Sequence, residues 1–308
     1  MENQQISLSI RNVSKTYANG VQALRNVYLD IPAGMYGLLG PNGAGKSTLM
    51  RTLATLQEPD SGQVFLGGID VLKQKEEVRQ TLGYLPQEFG VYPGVRTEDL
   101  LDYFAVLKGI TSRASRREVV AALLKQTNLW EVRSQKLGGF SGGMRQRFGV
   151  AVALLGNPKL LIVDEPTAGL DPAERVRFLN LLSELGENSV VLLSTHIVED
   201  VSELCTHMAI INKGLILQDA APMHAVRELQ GRIWRCVAEK GSLPSLEQEH
   251  QVISTKLLGG RTVAHVYSEE DPGKGFELVQ PDLEDVYFTA MAGYHHKQEL
   301  PQVGEVQS

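Results

Sequence analysis

A glycine-rich loop constrains the fold of this chain more than any other feature: residues 40–48 read GPNGAGKST. The loop follows a short apolar run, MYGLLG at 35–40, and precedes TLMRTLATL at 48–56, which has helical spacing. A strand, a glycine loop and a helix in this order place backbone N–H groups around phosphate oxygens at the positive end of the helix. The pattern therefore predicts an α/β fold with a phosphate site at a strand end.

The residue types within this loop predict separate tasks. Lys46 is expected to reach the β- and γ-phosphates of a nucleotide, and the hydroxyl of Ser47 is expected to bind Mg²⁺. The glycines allow the backbone to turn inward around the phosphates. The predicted phosphate-binding residues are Gly40, Pro41, Asn42, Gly43, Ala44, Gly45, Lys46, Ser47 and Thr48.

An acidic pair follows a second apolar run, in LLIVDEP at 160–166. Asp164 falls at the carboxyl end of a predicted buried strand, where open α/β sheets bind their ligands. We predict that it holds the magnesium, directly or through water. Adjacent side chains on an extended chain point in different directions, so Glu165 can face the attacking water and not the metal. Glu165 is therefore predicted to be the general base that accepts the proton of this water.

Charge and hydropathy exclude two classes of protein. The formal net charge is −6 and neither half of the chain is basic, which argues against binding to nucleic acid. No stretch approaches the ~18–20 apolar residues of a membrane helix, and the polar N-terminal segment lacks a secretory signal. Cys205 and Cys236 have no metal-binding spacing and are interpreted as thiols in a reducing compartment.

Periodicity predicts an ordered series of elements. Alternating residues at 6–17 and 21–31 indicate an antiparallel pair. Aliphatic runs without alternation, such as SVVLLSTH at 189–196, are typical of parallel strands buried on both faces. Residues 88–157 are helical in pattern. The predicted fold class is α/β: a P-loop NTPase core with a mainly parallel sheet, an N-terminal antiparallel β subdomain, a helical insert and a small C-terminal α+β appendage.

The order of the motifs resembles that of the ATP-binding subunits of ABC transporters, over roughly residues 6–228. FSGGM, at 140–144, is similar to the signature of that family, usually written LSGGQ. Gln87, in GYLPQ, resembles the Q-loop glutamine that senses the metal and couples to the transporter. An ordinary loop residue is the alternative interpretation of Gln87.

Three further residues extend the resemblance. Asp171 closes AGLD, which resembles the D-loop, and His196 in STHIVED resembles the switch histidine that contacts the γ-phosphate. Tyr17 stands where the family has an aromatic ring that stacks on adenine. For His196 the alternative interpretation is a core histidine. For Tyr17 it is a surface tyrosine at a strand end.

The resemblance implies a dimer in which each ATP lies between two domains packed head to tail. Ser141, Gly142 and Gly143 would contact the γ-phosphate of the ATP held by the partner's phosphate loop. Lys46, Glu165 and His196 would act on the ATP of their own chain. ATP and Mg²⁺ are the implied cofactors, with Ser47, Gln87 and Asp164 as the metal-site residues.

The signature departs from the usual pattern at two positions. Phe140 replaces a leucine, and Met144 replaces a glutamine. Methionine at this position resembles exporter-type branches of the family. LEDVYFTAMAG, at 283–293, resembles the closing helix of ATPases from branches that export drugs and polysaccharides. Arg145 and Arg147, which follow the signature in the sequence, are expected on an exposed helix face without a special role.

The predicted organisation has three regions. Residues 1–228 are expected to form an ABC ATPase domain, with the helical subdomain at about 88–157. Residues 229–290 are expected to form a small accessory domain whose role the sequence does not define. Residues 291–308 lack periodicity and are predicted to be a disordered tail.

We therefore predict a cytoplasmic ATPase subunit, peripheral on the inner face of the cell membrane, that dimerises around two ATP molecules. A second copy and integral membrane permease subunits are the expected partners, and an exporter is the expected type. An importer subunit is one alternative. A soluble ABC ATPase acting on ribosomes or DNA is another, but such proteins usually carry two domains with a basic linker or a long coiled coil, and neither feature occurs here.

Overall fold

The computed structural model describes residues 6–87, 89–90, 92–167, 170–184, 189–239 and 241–294. The chain divides into two compact units, Met1–Pro222 and Met223–Ser308. The predicted domain boundary after residue 228 stays a prediction. From residue 295 onward, the predicted tail lies outside the described residues.

The first unit alternates strands and helices. In chain order its elements are β1 (Leu8–Thr16), β2 (Gln22–Ile31), β3 (Gly34–Leu39), α1 (Lys46–Leu53), β4 (Ser61–Leu66), β5 (Ile69–Asp70), α2 (Lys75–Thr81), β6 (Leu82–Leu85), α3 (Thr97–Leu107), α4 (Arg113–Gln126), α5 (Gly142–Ala153), β7 (Leu160–Asp164), α6 (Pro172–Ser183), β8 (Val190–Thr195), α7 (Val198–Leu204), β9 (His207–Asn212) and β10 (Leu215–Ala220).

The central sheet of this unit has six strands in the order β10-β9-β3-β8-β7-β6. Neighbouring strands from β6 to β9 pair in parallel, and only β10 is antiparallel to its neighbour. All residues of β7 and β8 are buried, which explains their continuous aliphatic pattern. Because parallel strands end at the same edge, the segments after β3, β7 and β8 converge there.

A second sheet covers one side of this core, in the order β2-β1-β4-β5. Its strands pair in antiparallel fashion, as the period-two alternation predicts. The inward side chains of β1 and β2, such as Ile10 and Leu29, lie in one buried cluster with Met50 of α1 and Ile162 of β7. This packing fixes the N-terminal sheet and Tyr17, just past the end of β1, relative to the phosphate loop.

The predicted helical insert is present as α3, α4 and α5. These helices enclose their own apolar cluster, which includes Leu101, Leu124, Phe140 and Phe148. The replacement of the usual leucine by Phe140 is therefore accommodated in a core, where the side chain is 3% exposed. The insert holds the beginning of α5, where the signature lies.

The second unit is a small α+β fold, as predicted. It comprises β11 (Ile233–Ala238), α9 (Leu243–Glu249), β12 (Gln251–Leu258), β13 (Arg261–Tyr267), β14 (Phe276–Leu278) and α10 (Leu283–Ala292), after α8 (Pro222–Glu228), which begins at the last residue of the first unit. Its strands form an antiparallel sheet in the order β12-β13-β11-β14. Short segments at 234–237, 251–256 and 262–267 predict three of these strands, and the pattern at 283–291 predicts α10. The sequence does not predict the three-residue β14, which exists through its pairing with β11.

A bilayer-spanning helix is absent from the described residues, since none of their helices combines the necessary length with sufficient hydropathy.

Candidate nucleotide site

The phosphate loop turns tightly between β3 and α1 because of its glycines. Gly43 and Gly45 have φ values of 79° and 112°, in the left-handed region that favours glycine. A Cβ at Gly40 would lie 2.3 Å from the backbone oxygen of Ile211, and one at Gly45 would lie 2.4 Å from that of Ala23. The loop can therefore take this path only with glycine at both positions, and the path is the kind that forms an anion-binding nest.

A cavity of about 490 Å³ opens beside this loop, which is within the range of small-ligand sites. It gathers residues from four separate motifs of the sequence. Val21 and Ala23, which were not predicted, add apolar side chains to its lining. The residues that line the cavity are Tyr17, Val21, Ala23, Pro41, Asn42, Gly43, Ala44, Gly45, Lys46, Ser47, Thr48, Gln87 and Glu165.

Glu165 is the centre of the polar groups at this cavity. Its Oε1 lies 3.3 Å from Lys46 Nζ. Its Oε2 accepts a hydrogen bond of 3.1 Å from Gln87 Nε2 and lies 3.5 Å from His196 Nδ1. One hydrogen bond, from Gln87, and two nearby nitrogen atoms, of Lys46 and His196, thus surround one carboxylate. This arrangement suits a group that must accept a proton at a defined place.

The backbone of Glu165 differs from the sequence expectation. The expectation placed Glu165 on an extended chain, but its φ is 46°, so it occupies the left-handed region just after β7. A non-glycine residue there carries local strain, which is typical of functional sites. The Glu165 N–H donates to the backbone oxygen of Ser194 at 2.9 Å, and this bond helps to hold the turn.

Asp164 lies at the end of β7 with only 3% exposure. It stands opposite Ser194 of β8 in the sheet register, and Ser194 Oγ donates to its Oδ1 at 2.6 Å. The carboxylate of Asp164 and the hydroxyl of Ser47 are oxygen donors of the kind Mg²⁺ takes, together with phosphates and water. The donor set therefore fits the predicted metal.

Tyr17 is held beside the phosphate loop through its hydroxyl. The Tyr17 hydroxyl donates to Gln57 Oε1 at 3.0 Å and lies 3.1 Å from Thr48 Oγ1. These bonds join the end of β1 to α1 and to the segment that follows it. The ring is consequently fixed at the rim of the cavity, where a flat base can stack on it.

The signature residues begin α5. Ser141 caps the helix by accepting a hydrogen bond from Met144 N at 3.2 Å, as its residue type favours. Ser141 and Gly142 are exposed, whereas Gly143 is buried. None of the three is among the described residues that line the cavity.

Helix α6 connects the signature helix with the acidic segment. Asp171 caps α6 by accepting from Glu174 N at 2.8 Å. Arg147 was expected on an exposed face, but its side chain is 14% exposed and lies 3.7 Å from Glu174 Oε1. The reason is that α5 packs against α6 on this side. Ala168 and Gly169, which precede Asp171, lie outside the described residues.

One buried carboxylate near the site was not predicted from the sequence. Asp200, in the first turn of α7, accepts hydrogen bonds from Thr167 Oγ1 at 2.7 Å, Thr195 Oγ1 at 3.1 Å and Arg175 Nε at 2.8 Å. Asp200 is fully buried. In the sequence it looks like any acid in the first turn of a helix, so only the packing of three segments identifies it.

The chain is similar in sequence to known ATP-binding proteins. The family described as "ABC transporter" matches residues 24–168. The probable multidrug ABC transporter ATP-binding protein YbhF of Escherichia coli is 34% identical over 238 residues, covering 76% of this chain and 41% of that protein. The chain therefore spans less than half the length of that relative. The uncharacterized ABC transporter ATP-binding protein YxlF of Bacillus subtilis is 38% identical over 210 residues, covering 68% of this chain and 69% of that protein.

A solved structure supports the same fold. It is the ATP-binding cassette MJ0796, a dimer in a post-hydrolysis state bound to ADP and Pi. The TM-score is 0.64 at 27% sequence identity, and the match covers 70% of this chain and 98% of that one.

Proposed function

The chain belongs to the ATP-binding proteins of ABC transporters, and on this premise we propose that it hydrolyses ATP to drive transport through separate membrane subunits. One observation carries the proposal: Lys46, Gln87 and His196 converge on the carboxylate of Glu165 at the wall of the phosphate-loop cavity. A binding-only domain has no need for a buried carboxylate around which nitrogen atoms from three distant segments gather.

In this proposal, different residues of one chain bind the nucleotide, hold the metal and carry out the hydrolysis. The backbone of the phosphate loop and Lys46 bind the phosphates of ATP, and the ring of Tyr17 stacks on the base. Ser47, Gln87 and Asp164 would hold Mg²⁺, which would neutralise phosphate charge. Glu165 accepts the proton of the attacking water, and Gln87 and His196 keep that carboxylate oriented toward it.

A second copy of the chain completes each site in this proposal. Ser141 and Gly142 are exposed at a helix N-terminus, where anions bind favourably. They lie outside the cavity lining of their own chain, so their ligand is the nucleotide of the partner. The dimeric state of the related cassette bound to ADP and Pi is consistent with this arrangement.

The proposed partners are integral membrane permease subunits, and the proposed type is an exporter, located peripherally at the cytoplasmic face of the membrane. The multidrug description of the relative from Escherichia coli supports the exporter type. The helical insert at about 88–157 is the proposed contact to the membrane subunits. Residues 229–290 are proposed to be an accessory domain.

Complementation between two inactive variants tests the shared site. Ser141→Arg keeps its phosphate loop but blocks its signature, and Lys46→Ala keeps its signature but cannot hold ATP. Each alone should be nearly inactive. In an equal mixture about half of randomly formed dimers are mixed, and each mixed dimer rebuilds one of its two sites. ATP hydrolysis should therefore recover to at most roughly a quarter of the parental rate.

The control is a mixture of Ser141→Arg with Ser141→Lys, which has no intact signature in any dimer and should stay inactive. Normal hydrolysis by Ser141→Arg alone would contradict the shared site. Transport is tested separately, by co-purification of the chain with membrane proteins and by measuring ATP hydrolysis with and without cargo in vesicles. A chain that recovers instead with ribosomes or DNA would overturn the transport proposal but leave ATP hydrolysis standing.

A further inference from the structure

Asp200 occupies an unusual place for a carboxylate. Its side chain is completely buried, and it lies where the segments after β7 and β8 meet α6. Both oxygens have partners: Oδ2 accepts from Thr167 Oγ1 at 2.7 Å and from Thr195 Oγ1 at 3.1 Å, and Oδ1 accepts from Arg175 Nε at 2.8 Å. A buried charge is tolerated only with such a set of donors.

The two threonines flank the groups proposed to act in hydrolysis. Thr167 follows Glu165 by two residues, and Thr195 directly precedes His196. Thr195 Oγ1 also accepts from the N–H of Ile197 at 3.0 Å, so it shapes the turn that carries His196. A single oxygen of Asp200 therefore joins the two turns from which Glu165 and His196 project.

Arg175, the third partner of Asp200, connects helix α6 to these two turns. Arg175 lies one turn into α6, next to Glu174, which approaches Arg147 and Gly143 of the signature helix. Arg175 Nη2 is buried without a hydrogen-bond partner among the described residues. The guanidinium is therefore held chiefly by Asp200. The Arg175–Asp200 pair fixes α6 to the turns that carry Glu165 and His196.

We propose that Asp200 is a positioning residue for ATP hydrolysis: it holds the Glu165 turn and the His196 turn together through Thr167 and Thr195, and it ties both to α6 through Arg175. The inference rests on the proposed hydrolytic function. It explains why polar side chains meet at Asp200, a place where apolar side chains would pack at least as well. Its effect is on the rate of the chemical step, because no Asp200 partner lines the nucleotide cavity.

The test compares Asp200→Asn with Glu199→Gln, a change of the neighbouring acid in α7, which is exposed. Asp200→Asn keeps the shape of the side chain but removes its charge. Its kcat should fall about 10- to 100-fold, since small misplacements of reacting groups cost this much, while the Kd for ATP by calorimetry changes less than about 2-fold. Glu199→Gln should match the parent in both.

A second measurement separates positioning from general destabilisation. In the Glu165→Gln background the base is already lost, so Asp200→Asn should lower the residual rate no further, although it lowers the Tm equally in both backgrounds. An equal loss of kcat in both backgrounds would overturn the proposal. So would a parental kcat for Asp200→Asn.

Should Asp200→Asn fail to fold, Thr167 provides the same test. Thr167→Val removes the hydroxyl, and Thr167→Ser keeps it. The proposal requires a reduced kcat for the valine variant and rescue by serine, and equal rates for both overturn it. A parent chain that binds ATP but never hydrolyses it, alone or with membrane subunits, contradicts the proposed function itself. If instead the parent hydrolyses ATP and every Asp200 variant hydrolyses it at the same rate, only the positioning role of Asp200 is overturned.

Discussion

Lys46 Nζ lies 3.3 Å from Glu165 Oε1, and both side chains are more than nine-tenths buried. Lys46 also donates to the backbone oxygens of Gly40 and Pro41, at 2.7 and 3.1 Å. The lysine proposed to bind phosphate is thus the charge partner of the proposed base. In the proposed function, we expect the phosphate oxygens of ATP to compete with Glu165 for this ammonium, so that nucleotide binding would release the carboxylate for its role in hydrolysis.

Glu165→Gln should slow hydrolysis by about 10²–10⁴, because an amide cannot accept the proton of the attacking water. ATP binding should not weaken, since Lys46 no longer has a carboxylate partner to give up. The variant should collect as an ATP-bound dimer in size-exclusion chromatography. Glu58→Gln, a change of an exposed carboxylate, is the control and should hydrolyse normally. Parental turnover by Glu165→Gln would show that another group is the base.

Lys46→Ala should lower the affinity for ATP about 10- to 100-fold, since it removes a charge-assisted contact of roughly 1.5–3 kcal/mol. Hydrolysis should fall at least as far. Calorimetric titration with Mg-ATP measures the change, and Lys73→Ala, at a lysine side chain that is 76% exposed, is the matched control. An unaltered Kd would exclude Lys46 from the phosphate site.

Gly142→Ala and Gly40→Ala should separate function from stability. A Cβ at Gly142 meets no atom within 4 Å, so the alanine variant should keep the parental Tm, while its methyl group obstructs the partner's nucleotide and lowers hydrolysis. A Cβ at Gly40 meets the backbone oxygen of Ile211 at 2.3 Å. Such overpacking costs typically about 1–3 kcal/mol, so Gly40→Ala should lower the Tm. Full activity of Gly142→Ala would be evidence against the signature's role in trans.

Tyr17→Ala should weaken ATP binding, because base stacking on an aromatic ring contributes about 1–3 kcal/mol. Tyr17→Phe keeps the ring but loses the bonds to Thr48 and Gln57, so its affinity should lie between those of the parent and the alanine variant. Inorganic triphosphate, which has no base, is the control ligand. If Tyr17→Ala weakens the binding of triphosphate and ATP equally, the ring does not stack on the base.

Local patterns in the sequence predicted most elements of the fold. Unbroken aliphatic runs gave the buried strands β7 and β8, alternation gave β1 and β2, and the glycines at 40, 43 and 45 gave the tight phosphate loop. These features depend on residues close together in the chain, whose backbone preferences and periodicity act within one turn or strand. For that reason they are readable without the tertiary structure.

Contacts between distant segments were decided by the tertiary structure alone. Gln87 and Glu165 are 78 residues apart, and their hydrogen bond exists because β6 and β7 are parallel neighbours. The left-handed turn at Glu165, the burial of Arg147 against α6 and the junction at Asp200 have no local signature. Each depends on which elements become neighbours in the sheet and its covering helices, and packing energy over the whole unit selects those neighbours.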